Sequence, residues 1–135
     1  MCVIIGAVNA VNRFLTASRA RDAEAAAAEL APDVVMLNPA TDEPIVGKDA
    51  VAAALRAVDA ACDAFRHTHL PVEQNGVPAP LYGLVFEAKV GDATLRGVDL
   101  IELDDKDRIS SFIVAVRPVG ALMALGARMS ASQPQ

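Results

Sequence analysis

The 135 residues include no tryptophan, one tyrosine, four phenylalanines, two cysteines and two histidines. With so few rings, and with alanine at about a fifth of the chain, far above ordinary usage, the core is expected to consist of many small contacts. Cys2 and Cys62 fall in no Cys-x-x-Cys or Cys/His-rich spacing, which argues against a zinc site and a disulfide scaffold. Free thiols fit a cytoplasmic location. Cations are in deficit, 12 Lys+Arg against 17 Asp+Glu for a net charge of −5, so neither nucleic acid nor an anionic membrane surface is an expected partner. The apolar start from Met1 to Val8 has no preceding Lys or Arg, and Asn9, Asn12 and Arg13 interrupt it, so it reads as neither a targeting segment nor a membrane span.

Several chemistries lack their residues. There is no Gly-rich phosphate loop, and Ser110-Ser111 has no neighbouring base or nucleophile-elbow setting. The acidic run Asp104-Asp105-Lys106-Asp107 is not followed by an EF-hand ligand ladder and reads as a solvated turn. His67 and His69 stand two apart in a β-like stretch, where they would share a face, yet no nearby acid completes a metal set. Neither a metal nor a cofactor is expected. One of the two histidines lining a pocket as a proton carrier, and an ordinary packed or surface pair, both remain open.

What the chain does have is periodic order. Ile4, Ala7, Val8, Val11, Phe14 and Leu15 recur at three and four, predicting a first helix to Ser18. Alanine propensity predicts a second over 21–30, stopped by Pro32. A strand is expected over 33–38, then a loop. The spacing of Val51, Ala54, Leu55, Val58 and Cys62 predicts a third helix. Strands are expected over 65–72, 81–90, 94–103 and 108–117, with hairpin turns at Val90-Gly91-Asp92-Ala93 and at 104–107. A last helix is expected over 119–129, and 130–135 as a disordered tail. The whole, 1–135, reads as one α+β domain with helices packed on one face of an antiparallel sheet, which can curl to enclose a pocket.

Strand alternation identifies which residues share a face. Leu95, Gly97, Asp99, Ile101 and Leu103 form one row, on which Asp99 is the only charge; burial among aliphatic groups would raise its pKa. Tyr82, Leu84, Phe86, Ala88 and Val90 form another, and Val34, Met36 and Asn38 a third. Phe112, Val114 and Val116 line a fourth, while Ile109, Ser111, Ile113, Ala115 and Arg117 make the opposite side of the same strand largely apolar too. A strand apolar on both sides calls for a second cover, which suggests a homodimer through the outer sheet face.

These rows predict a water-poor pocket walled by Phe14, Met36, Leu55, Leu84, Phe86, Ile101, Phe112, Val114 and Val116, with Asn38, Tyr82, Asp99 and a histidine such as His67 converging inside. It would hold a small apolar ligand bearing a carbonyl or hydroxyl. Each polar group also has a structural alternative: Asn38 capping the turn before Pro39, Tyr82 turned to solvent, Asp99 paired with Arg117 or with backbone.

The order of elements, together with Val11-Asn12-Arg13-Phe14, the run from Leu30 to Pro39, the run from Pro44 to Val51, Gly97-Val98-Asp99-Leu100 and Asp107-Arg108-Ile109, resembles the nuclear transport factor 2-like superfamily nearly end to end. That superfamily includes ketosteroid isomerases, limonene-epoxide hydrolases and SnoaL-like polyketide cyclases. The resemblance implies a cone-shaped, cystatin-like α+β roll in which a strongly curved antiparallel sheet wraps the N-terminal helices. Against ketosteroid isomerases, which use a carboxylate base with an oxyanion hole of a tyrosine and a protonated aspartate, Asp99 matches the aspartate. Phe14 stands in place of the tyrosine and Asn38 in place of the base, and neither supplies the chemistry it replaces. Against limonene-epoxide hydrolases, Asn38 matches a water-positioning asparagine. Met36 stands in place of a tyrosine there, no arginine occurs over 84–87, and Val114 takes the place of the last acid. SnoaL-like cyclases imply an aspartate acid/base in an apolar cavity, which Asp99 with His67 or His69 could meet; in an isomerase, cyclase or hydrolase generally, Tyr82 or a histidine would be the second group.

Overall fold

The computed structural model describes residues 9–74 and 80–131, and within these the chain forms four helices and seven strands. Helix α1, Ala10–Arg19, starts where Asn9 accepts from the backbone of Asn12 and the Asn12 side chain returns a bond to Asn9 N–H. The expected turns before it, with Cys2, lie outside the described residues. Helix α2 is confined to Ala23–Ala27, shorter than alanine propensity predicted. Tertiary pairing overrides propensity here: strand β1, Leu30–Leu37, takes Leu30 and Ala31 into the core and pairs Leu30 with Ile109. Pro32, with no N–H to donate, sits where that pairing changes register.

A two-residue strand β2, Ile45–Val46, was not expected; it pairs antiparallel with β1. Helix α3 spans Lys48–Ala61. The expected strand over 65–72 is broken in two, β3 at Ala64–His67 and β4 at Val72–Gln74. His69 lies in the gap, exposed, with Nδ1 2.7 Å from the Thr68 hydroxyl, so the two histidines do not share a strand face. Strands β5, Leu81–Val90, β6, Ala93–Leu103, and β7, Ile109–Arg117, form the expected meander. Helix α4, Val119–Ala131, runs two residues beyond its expected end, into the segment read as a tail.

The result is an α+β fold with a curved, unclosed sheet in the order β2-β1-β7-β6-β5-β3, β4 also pairing with β5. Its pairs are antiparallel except β1–β7, which is parallel. In the 104–107 turn, Asp104 accepts from the backbone N–H of Lys106 and Arg108, and Asp107 accepts from Ala10 N–H and from Arg13, fastening the turn to the start of α1. Ile109, expected on the outer row, is fully buried, because a register shift between Glu102 and Leu103 turns it inward. Ile113 and Ala115 stay exposed on the outer face.

Gly97 in mid-β6 is required by packing. A Cβ there would run into the Ala115 carbonyl oxygen and stand 2.5 Å from the Phe86 ring. Its absence lets that ring lie across the strand.

Candidate functional site

Two apolar clusters fill the inside of the curved sheet. One joins α1, β1 and the middle of β5 to β7 around Phe14, Met36 and Phe112; the other joins the ends of α3, β5 and β6 to α4 around Leu95 and Leu125. Residues of both line a cavity of about 430 Å³, within the size range of small-molecule sites. Of the residues expected around the pocket, Phe14 and Leu55 from the helices and Met36, Asn38, Phe86, Phe112, Val114 and Val116 from β1 and its turn, β5 and β7 line it, together with Asp99 and His67.

Three predicted site residues lie elsewhere. Leu84 and Ile101 are fully buried but do not reach the cavity, because they pack in the cluster with Val11, Val34 and Ile109. Tyr82 is paired opposite Ile101, farther along the same ladder, and its hydroxyl accepts a 3.3 Å hydrogen bond from Asn9 Nδ2. Its phenol oxygen is therefore tied to the lead into α1 rather than to the cavity wall. Alternation gave these residues the correct face but not their depth along the strand.

Asp99 sits between Leu84 on β5 and Val114 on β7, 6% exposed. No side chain among the described residues pairs with its carboxyl. Arg117 is opposite Arg96 on the outward row, which removes it as a partner. Desolvation pushes the carboxyl up to about 8, so at neutral pH it is predominantly a protonated acid and a hydrogen-bond donor.

His67 lies across β5 from this group. It pairs opposite Phe86, which in turn is opposite Gly97. Its ring meets Phe65 edge-on, centroids 5.4 Å apart, and Phe65 stacks on Phe86 at 5.0 Å. Both ring nitrogens are buried without a hydrogen-bond partner. Burial, assisted by the positive charge of Arg19, lowers the imidazole to about 4 and keeps it neutral.

Asn38 combines its two readings. Its Oδ1 accepts from the N–H of Ala40 at 2.8 Å and of Thr41 at 3.2 Å, an Asx-type turn, while the residue also lines the cavity. Cys62, Phe65, Leu95 and the α4 residues Leu122, Leu125 and Met129 line the cavity as well and were not among the residues expected to wall it. For Phe65 a signal existed, since it alternates with His67. Helix α4 gave none, being apolar on several sides, with Val119 and Met123 exposed. Arg128 holds α4 in place through Asp63, at 2.8 Å, and the Ala61 carbonyl. Arg21 and Asp59, ion-paired at 2.6 Å, add the charged part of the lining. Among the described residues no group of three or more His, Cys, Asp or Glu is placed to hold a metal, and no helix is long and apolar enough to cross a membrane.

A curved, unclosed sheet packed with helices is a fold shared with known proteins. The chain belongs to the SnoaL-like domain family of the nuclear transport factor 2-like superfamily, whose pattern matches residues 11–112. It is similar to a steroid delta-isomerase from Pseudomonas aeruginosa, with 30% identity over 90% of this chain and 87% of that one and a TM-score of 0.82. It is equally similar, at 30% identity over 90% of this chain and 83% of the other, TM-score 0.80, to an uncharacterized protein with a cystatin-like fold from Silicibacter pomeroyi. A nuclear transport factor 2-like protein from Burkholderia pseudomallei, 20% identical over 86% of this chain and 94% of that one with a TM-score of 0.67, shares the fold. No curated protein sequence matches the chain.

Proposed function

We propose that the cavity binds a small, largely apolar molecule carrying a carbonyl or hydroxyl oxygen, and that the protonated carboxyl of Asp99 donates a hydrogen bond to that oxygen. The observation that carries this reading is the buried Asp99 itself, a donor on an apolar wall with no partner among the described residues. Leaving such a group unpaired costs free energy, roughly 1–3 kcal/mol, which a ligand oxygen returns. The apolar walls select size and shape, and Asp99 sets orientation.

Turnover by an isomerase, cyclase or epoxide hydrolase route is the second reading. It is favoured by the 30% identity to a steroid delta-isomerase and by two groups in one cavity whose pKa values are pushed in opposite directions, Asp99 up and His67 down. Asp99 would then act as the general acid. With Phe14 and Asn38 in place of a phenol and a carboxylate, the chain lacks the groups for α-proton abstraction by the ketosteroid isomerase route. The binding reading is therefore preferred.

The protein is further proposed to be a cytoplasmic homodimer, with the exposed Ile113 and Ala115 side of β7 covered by a second copy. Calorimetric titration with 4-hydroxybiphenyl is expected to show saturable uptake that weakens about tenfold in Asp99→Leu, the loss of one hydrogen bond from a buried donor. Equal affinity in both proteins contradicts the role of Asp99. Native mass spectrometry of the same sample is expected to show a dimer, and a monomer contradicts the second cover.

A further inference from the structure

His67 has no structural explanation among the described residues. A neutral imidazole carries one N–H donor and one acceptor nitrogen, and here both are covered with nothing to pair with. Buried polar groups are nearly always satisfied, so an orphaned pair on a cavity wall points to a partner from outside the chain. Its ring edge meets Phe65, and its strand pairs with β5 at Phe86. A half-turn about the Cβ–Cγ bond exchanges the nitrogen and carbon positions of the ring. That motion breaks no hydrogen bond, since none is made, and it brings a different edge toward the cavity that His67 lines.

We propose that His67 is a second, uncharged hydrogen-bonding anchor of this cavity, which turns to meet a ligand oxygen at the end away from Asp99. The inference rests on the binding reading above and extends it. Asp99 pairs with Leu84, and His67 with Phe86, so the two anchors are two strands apart and two residues out of step along β5. Strand spacing and rise put their Cα atoms about 12 Å apart on a flat sheet, and curvature draws the side chains closer. Between them on that face of β5 lie only Leu84, packed beneath the wall, and Phe86, which lines it, and neither is polar. The ligand class that fits is elongated, apolar in the middle, uncharged, and oxygenated at both ends. Neutrality follows from the lining: both anchors are uncharged at pH 7, and Arg21 and Asp59, the charged pair of the wall, already satisfy each other at 2.6 Å, so neither anchor nor pair offers an ionic partner to a charged end group. The same property makes His67 a poor proton carrier at that pH, where it stays unprotonated.

The test compares two rigid probes of one shape, 4-hydroxybiphenyl and 4,4′-dihydroxybiphenyl, by calorimetric titration of the full chain. The wild type is expected to favour the dihydroxy compound about fivefold, beyond the roughly twofold that its symmetry alone confers. His67→Phe is expected to reduce the preference to the symmetry factor, with His67→Leu in its place should the phenylalanine variant not fold. A preference that is absent in the wild type, or that survives both substitutions, overturns the second anchor. If Asp99→Leu still weakens both probes in that case, the binding reading stands without it. If neither probe binds the wild type, both fall together.

Discussion

Asp99→Asn is expected to abolish the fall in stability that the wild type shows between about pH 6.5 and 8. The folded carboxyl titrates at about 8 and the unfolded one at its ordinary 3.8. Between those values the unfolded chain has released the proton and the folded chain retains it, so stability declines as pH rises, by about 1.4 kcal/mol per unit. The contribution is complete below 3.8 and lost by about 8. His67 acts in the opposite sense. Its folded value of about 4 lies below the ordinary 6.5, so from 4 to 6.5 the unfolded chain holds the extra proton and stability rises with pH. The two slopes oppose one another up to 6.5, and above it Asp99 acts alone. Urea unfolding of the wild type is expected to lose about 2 kcal/mol between pH 6.5 and 8. The asparagine variant is expected to lose almost nothing there and to show only the His67 rise below 6.5. Parallel curves for the two proteins would place the Asp99 carboxyl in water.

Phe112→Ala is expected to lower stability by about 3–5 kcal/mol, the range for a buried phenylalanine. The ring is 1% exposed and meets Phe14 edge-on with centroids 5.4 Å apart, joining the sheet to α1. Collapse cannot recover much of the loss, because Phe112 already forms part of the cavity wall and its removal enlarges an existing space. A single domain has about 5–15 kcal/mol in total, so the variant stands near the edge of folding. Urea denaturation at pH 6 measures it directly, and a loss below about 1 kcal/mol would mean the ring is not a structural member of the wall.

The fold was legible wherever one period dominated. Helices α1 and α3 and strands β5 to β7 follow from apolar spacing, and Asp99 stood out as the one charge on an apolar row. What escaped the sequence depended on contacts distant along the chain. Leu30 looks helical by propensity and is strand because it pairs with Ile109. His67 and His69 look like a matched pair, but the strand ends at His67. Ile109 is inward because of a register shift that alternation cannot anticipate. Tyr82, Leu84 and Ile101 share a face with the cavity residues yet lie under α1 and its neighbours, because face and depth are set by different contacts. The α4 wall was hidden by its own composition, apolar toward the cavity and at Val119 and Met123 alike.

The central claim is that Asp99 is a protonated acid in the wall of an apolar cavity. Carbon-13 NMR of the aspartate carboxyls across pH 3 to 10, with Asp99→Asn assigning the resonance, tests it most directly. The account predicts that the Asp99 signal titrates at about 8. Titration near 3.8 would show an ionised, solvated carboxylate and contradict the account.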